Sequence, residues 1–271
     1  MSFNIAIRGL NAVSAQLNTI SNNIANADTV GFKSGRENFS ALYVNGTGNG
    51  VLDQGAQQSI DANGSLVSSS SSLDMAISGK GFFVLHDSNN TQKFSRAGYV
   101  QVDKDGKLVN NTGLQYEGYM LANPVEKTAG STTAIPTSTT EVSPLTVAQK
   151  SSDGSDLSGV SLDEQGNVLA TYTNGHTYTV GQVALASFPN EAKLQAEDGT
   201  TWSATGESGA AQFGVAQSGV LGSLHNGSLE SSNVDLTGEL VNLMSAQRNY
   251  QANTKVISTD SSMFTALFQA I

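Results

Sequence analysis

The sequence predicts a mainly-β middle, sandwich- or barrel-like, flanked by N- and C-terminal α-helices that form a coiled coil. Three observations predict it. Apolar residues alternate at three- and four-residue spacing between Phe3 and Ala27. They recur every seven residues between Leu236 and Ile271. The stretch between, residues 35–230, holds no sustained helical period but repeated strand and turn signals.

The N-terminal stripe runs Phe3, Ala6, Leu10, Val13, Leu17, Ile20, Ile24 and Ala27, with no glycine after Gly9 and no proline. That is a heptad seam over more than three repeats. Its end is expected near Asp28–Gly31, where Gly31 suits a left-handed cap. The C-terminal stripe runs Leu236, Leu243, Tyr250, Ile257, Phe264 and Ile271; its second positions, Leu240, Gln247, Thr254, Ser261 and Phe268, are apolar only at the ends. Ser232 followed by Asp235 reads as a capping-box variant opening that helix. Either helix alone is marginal, because nucleation is costly and stability comes from covering a stripe. Each large side chain contributes about 1.5–3 kcal/mol once fully buried. The cover is either the other terminal helix of one monomer or a neighbouring subunit, which would make both termini polymerisation elements. In the second case the stripes are expected to order only on assembly.

In the middle, residues 45–72 carry Gly-rich and Ser-rich runs, and residues 35–72 read as an extended connector. Leu73 to Leu85 gives two apolar stretches around Gly79-Lys80-Gly81. Val100 to Val109 forms one hairpin signal around Asp105-Gly106, and Val168 to Val180 a second around Asn174-Gly175. Val183–Phe188 reads as a further strand. Residues 128–158, rich in Thr and Ser, read as a loop. The resulting division is a helical domain (1–34 plus 230–271), the connector (35–72), a β core (73–127 plus 183–229) and a small inserted β/loop segment (128–182).

Composition narrows the function. Charged residues are 13% of the chain and the formal net charge is −10, against about 25% charged in ordinary soluble domains. An acidic chain without a basic patch is a poor partner for nucleic acid or anionic membranes. A low charge density also lets identical subunits pack closely. No apolar run is long enough to span a bilayer, and the first residues lack the basic and apolar regions of a cleaved secretory signal. With no cysteine, thiol catalysis, thiolate zinc sites and iron–sulfur clusters are excluded. His86, His176 and His225 lack metal-ligand spacing. Asp103-Lys104-Asp105-Gly106 resembles the start of a calcium loop, but Leu108 and Leu114 stand where glycine and glutamate are needed. Neither a nucleophile elbow nor a P-loop is present. The expectation is a non-enzyme without cofactor or metal.

Four segments then carry a resemblance: LNTISNNIAN at 17–26 with TVGFK at 29–33; LDMAISGKGFF at 73–83; FSRAGY at 94–99 with DGKLV at 105–109; and GSLESSNVD at 227–235 leading into ELVNLMSAQRNYQAN at 239–253. In this order they resemble the bacterial flagellar axial proteins, the rod and hook subunits, over nearly the whole chain. Within that family the hook subunits are more similar: residues 34–72 contain no proline, and so lack the Gln-Pro-Gly segment usual in distal rod subunits. The room between residues 120 and 185 is small for the β domain that many hook subunits insert. The residues carried over are Asn22, Asn23 and Asn26, whose amides suit helix capping or cross-linking; Gly31 and Phe32; Gly81, Phe82 and Phe83, where one Phe is expected in a core and the other facing a core or a neighbour; and Ser232 and Asn233. The resemblance implies export through the flagellar type III apparatus and polymerisation into a helical tube lined by the terminal helices. It implies partners in the rod, hook cap and hook–filament junction, and a location in the flagellum outside the cell. A rod subunit is the alternative reading. A cap-like protein forming a small closed oligomer, or a secreted β-rich adhesin or glycan hydrolase, is remoter.

Overall fold

The structure, a computed structural model, describes residues 2–44, 47–89, 91–127, 142–151 and 153–269. The chain divides into two compact units, one of residues 1–28, 33–62 and 232–271, the other of residues 29–32 and 63–231.

The first unit holds helix α1 (Ser2–Ala25), strands β1 (Gly35–Val44) and β2 (Thr47–Gln58), and helix α2 (Leu236–Gln269). The two helices pair within one chain. Val13 and Ile20 of α1 bury against Ala246 of α2, with Leu17, Ile24 and Leu243 packed around them. Both helices are therefore formed in the single chain, which departs from the expectation that they order only on assembly. The apolar stripe of α1 finds its cover on α2 without a neighbour.

The caps also differ from expectation. Asp235, not Ser232, opens α2: its Oδ1 accepts from the Thr237 N–H at 3.1 Å and its carbonyl from the Glu239 N–H at 2.9 Å. The Ser232 hydroxyl accepts from the Val234 N–H at 3.3 Å, ahead of the helix. α1 ends at Ala25, before Gly31, with Asn26 N–H donating to the Asn22 carbonyl at 3.1 Å.

Residues 35–58, expected within an extended connector, form an antiparallel hairpin instead. β1 and β2 pair from Gly35↔Gln58 to Val44↔Thr47, with register irregularities between Glu37 and Phe39 and between Ala41 and Tyr43. The irregularities break strict apolar alternation, which is why the pattern did not read as a strand pair.

In the second unit the strands are β3 (Leu66–Ser68), β4 (Met75–Ser78), β5 (Phe82–His86), β6 (Gln92–Ser95), β7 (Gln101–Val102), β8 (Leu108–Val109), β9 (Gln115–Glu126), β10 (Ser143–Pro144), β11 (Leu157–Leu162), β12 (Asn167–Tyr172), β13 (Thr177–Val183), β14 (Leu185–Ser187), β15 (Gln195–Glu197), β16 (Thr201–Ser203), β17 (Gln212–Gly214), β18 (Ser223–Asn226) and β19 (Ser228–Glu230). Thirteen of them share one sheet whose main path is β11-β12-β13-β9-β5-β6-β16-β15. β8 and β10 pair with β9, β7 with β8, β14 with β5, and β17 with β14. β4 pairs with β18 and β3 with β19. The hairpins at Asp105-Gly106 and Asn174-Gly175 lie where the turn chemistry places them.

β5 is the centre of this sheet. Its continuous apolar run is buried on both faces, as such runs require. Phe83 and Leu85 enter one core with Tyr116, Leu108, Val168 and Val183. Phe82 faces the other way, edge-on to Trp202 at 5.6 Å and to Phe188 at 6.0 Å. Neither phenylalanine is left to face a neighbour: the β14–β16 region covers the second face with its own aromatics. Residues 157–183, expected as a separate insertion, join the same sheet through β13 on β9, and Leu162, Tyr172 and Val180 share the Phe83 core. The Thr-rich residues 128–141 lie outside the described residues.

His86 and Glu117 form an ionisable pair in this sheet. Burial pushes the Glu117 carboxyl above its usual range, opposed by the hydrogen bond from Gln92 Nε2 at 2.9 Å and by His86 at 3.7 Å. A carboxyl whose folded pKa is raised adds stability below its unfolded pKa and loses it as pH rises through the folded value. Glu117→Gln is therefore expected to raise the urea midpoint of this unit at pH 7 by an amount worth about 1 kcal/mol or less, with the gain vanishing near pH 4. Fluorescence of Trp202, the only tryptophan in the sequence, reads that midpoint. A gain that persists unchanged at pH 4 would contradict it.

Candidate assembly interface

The terminal helices carry few charges. Arg8 is the only charged residue of α1, and Glu239, Arg248, Lys255 and Asp260 are those of α2. Each helix also keeps large apolar side chains exposed, among them Phe3 and Ile5 on α1 and Leu240, Met244 and Phe268 on α2. The face of α2 that meets α1 runs through Glu239, Leu243, Ala246 and Asn253. Glu239 bonds to Asn23, Leu243 and Ala246 pack on α1, and the Asn253 amide lies where a side chain at Gly9 would start. Gly9 thus marks a close approach of the two helices.

The expected seam is divided by this arrangement. Val13, Leu17, Ile20, Ile24 and Leu243 come together; Leu10 and Ile257 are half-buried. Phe3, Leu236, Leu240, Tyr250 and Phe268 are exposed, Leu240 by 46% and Phe268 by 80%. Leu236, Leu240 and Met244 follow one another at four-residue steps, so they form one ridge. Val256 and Met263, also exposed, stand seven residues apart further along. Ile271 and the side chain of Phe264 lie outside the described residues. Leu243 of the seven-residue repeat lies in the pairing face, but the positions that join it are Glu239, Ala246 and Asn253, three residues after each repeat position, rather than Leu240, Gln247 and Thr254; Leu236 and Tyr250 stay exposed, and the small Ala246 does the close packing.

Two asparagines tie this unit together. Asn23, 2% exposed, donates through Nδ2 to the Gly35 carbonyl at 2.8 Å and to Glu239 Oε1 at 3.0 Å, and accepts from the Gly35 N–H at 2.8 Å. One amide thus links α1, β1 and α2. Asn233 does the same on the other side: it accepts from the Ser34 N–H at 2.7 Å and donates to the Ser59 and Ala62 carbonyls at 3.0 and 2.9 Å. The buried Lys33 ammonium also donates to the Ala62 carbonyl, at 2.8 Å. Asn26 donates to the Asn22 carbonyl at 2.9 Å, which is local capping, and Asn22 itself is exposed. Phe32 is half-buried, and Gly81 has a left-handed φ of +123° beside Leu221. Glu239, Lys33 and the buried pair Arg96–Glu230 were not singled out from the sequence, although all lie within or beside the motif segments.

Among the described residues, no group of three or more His, Cys, Asp or Glu lies close enough to hold a metal ion, and no helix is long and apolar enough to cross a membrane.

Residues 3–33 match the family described as flagella basal body rod protein, residues 76–170 the flagellar hook protein FlgE/F/G D1 domain, and residues 225–270 the flagellar basal body rod FlgEFG protein C-terminal region. The flagellar basal-body rod protein FlgG of Agrobacterium fabrum (strain C58) is 30% identical, over 96% of this chain and 95% of that protein. The chain belongs to the flagellar hook and rod protein family. The flagellar hook protein FlgE of Escherichia coli K12 is 28% identical, over 98% of this chain and 99% of its own length. That of Helicobacter pylori (strain 26695) is 42% identical over 121 residues, 45% of this chain and 17% of the relative. The family is structural, and its place is the bacterial flagellum, in the hook and basal body that serve motility. The matched regions take in α1, α2 and much of the β unit.

Proposed function

We propose that the chain is a structural subunit of the flagellar hook. Copies of it polymerise into a helical tube that joins the basal-body rod to the filament and acts as a universal joint. The subunit has no catalytic role. It is exported by the flagellar type III apparatus, and it meets rod, hook-cap and junction proteins at the ends of the tube. The observation that carries this reading is the likeness to hook proteins over the full length, together with terminal helices whose outer apolar side chains are exposed among the described residues. Uncovered apolar ridges of this kind mark contact surfaces. Contacts of different patches on successive copies that do not close on themselves build a tube.

A rod subunit is the second reading, and one observation favours it. The alignment to the E. coli hook protein spans 399 positions against 271 residues here, so that relative carries a long stretch this chain lacks. The alignment to the A. fabrum rod protein spans 279. Electron microscopy of the purified full-length chain under polymerising conditions separates the two. Curved tubes are the expected result; straight tubes would assign the chain to the rod; a small closed oligomer would remove it from both.

A further inference from the structure

The second unit begins and ends at residues 29–32, 63 and 231, where the backbone passes to and from the rest of the chain. One buried residue, through its side chain and its backbone carbonyl, gathers the segments at these crossings. Glu230, fully buried, accepts the Gly64 N–H on Oε1 at 2.9 Å and faces Arg96 Nη1 through Oε2 at 3.4 Å. Its own carbonyl accepts the Gly31 N–H at 2.8 Å. Arg96, 1% exposed, lies over the Phe82 ring at 5.2 Å, so the pair is anchored in the aromatic core. The crossings are held too tightly for any side chain: a Cβ at Gly64 would lie 1.8 Å from the Ser231 carbonyl oxygen, and one at Gly31, whose φ is +72°, 2.5 Å from the Ala97 nitrogen.

A buried ion pair gives weak net stability, because desolvation offsets attraction. Its cost is more readily explained by the geometry it enforces. We propose that Arg96 and Glu230 form a latch that holds the segments at these crossings, 29–32, 63–64 and 230–231, in one place, and that opening it frees residues 29–32 and 63–66 while the β core stays folded. The latch is independent of which axial tube the chain builds.

The test uses hydrogen exchange on the full chain, with Trp202 fluorescence as the measure of the core. Two variants are compared with the parent: Glu230→Gln, which leaves the Arg96 charge in place, and the charge-free pair R96M/E230L. The quantity read is exchange at Gly31 and Gly64 relative to exchange at Val84 and Leu85 in β5. Loss of the side-chain acceptor directly exposes Gly64. Gly31 donates to a backbone carbonyl that no substitution removes, so it responds only if the side chain holds that carbonyl in position. The latch requires both ratios to rise, by about tenfold or more, in the charge-free variant. A rise at Gly64 alone, or exchange at the crossings that changes only in step with β5, overturns it. Should Glu230→Gln fail to fold, the charge-free variant still decides.

Discussion

Ile20→Asp is expected to melt the helical unit and leave the β unit folded. Ile20 is 5% exposed and sits in the small cluster of Val13, Leu17, Leu243 and Ala246 that pairs α1 with α2. A carboxylate there enters an apolar cluster. The charged groups bonded to neighbouring residues, Glu37 on Thr19 and Glu239 on Asn23, are themselves acidic. An unpaired buried charge costs roughly 3–5 kcal/mol, or the group takes up a proton. Together with the lost burial of Ile20 itself, that cost removes a large share of what the five large apolar side chains of the cluster contribute. Ellipticity at 222 nm should fall by more than half at pH 7, with partial recovery as acid neutralises Asp. Trp202, buried in the other unit against Phe82, should keep its native emission. Ile20→Val, which removes one methyl, should cost only about 1 kcal/mol and preserve the helices. Loss of the Trp202 signal together with the helices would show that the two units unfold as one.

How the helices pair marks where the sequence was legible and where it was not. The α1 stripe could be read because nearly all its members are large and apolar at regular spacing, and four of them enter the cluster. On α2 the seven-residue repeat includes Leu243 of the pairing face, but reading its second positions four residues on gives Leu240, Gln247 and Thr254 instead of Glu239, Ala246 and Asn253. The true pairing face uses Ala246, Asn253 and Glu239, small or polar residues that carry no hydrophobic signal. What selects them is close approach, with Gly9 opposite Asn253, and a single amide, Asn23, that satisfies three partners at once. Asn23 was legible as a residue able to cross-link helices; Glu239 as its partner was not, because only the fold brings positions so far apart in sequence together.

The β unit shows the same division. Turn chemistry at Asp105-Gly106 and Asn174-Gly175 placed two hairpins, since a turn is a local property. The run Phe82–Leu85 was legible as apolar, but the face each phenylalanine takes depends on what covers the sheet. Trp202 and Phe188 close the second face from more than a hundred residues away. The β1–β2 hairpin had one local signal, Asn45-Gly46, hidden among glycines that read as a connector. Besides its own ladder, the start of β1 is held by Asn23 and Thr19 of α1, which bond to Gly35 and Glu37. A hairpin that relies on a helix for support carries little signature of its own.

The ridge that remains after α1 and α2 have paired leads to the second large effect. Leu240→Asp is expected to leave the monomer unchanged and to abolish polymer. Leu240 is already 46% exposed in the single chain, between Leu236 and Met244 on the outer side of α2. In the monomer an aspartate there is solvated, so ellipticity and the Trp202 unfolding midpoint should match the parent to within about 0.5 kcal/mol. On the proposed reading, the same position is covered by another copy in the tube. A charge then has to be desolvated at a contact repeated along the polymer, and the apolar burial of Leu is lost as well. Those effects together should raise the concentration needed for assembly about a hundredfold or more. The chain already carries a net charge of −10, so one further negative charge cannot act through general repulsion. The effect has to be local. Polymer formed by Leu240→Asp at the parental concentration would move the assembly surface away from this ridge, to Val256, Met263 and Phe268 further along α2 or to Phe3 and Ile5 at the start of α1, all of which are also exposed. The same substitution at Leu243, which lies in the pairing face, cannot make this distinction, since it would lose the helices and the polymer together.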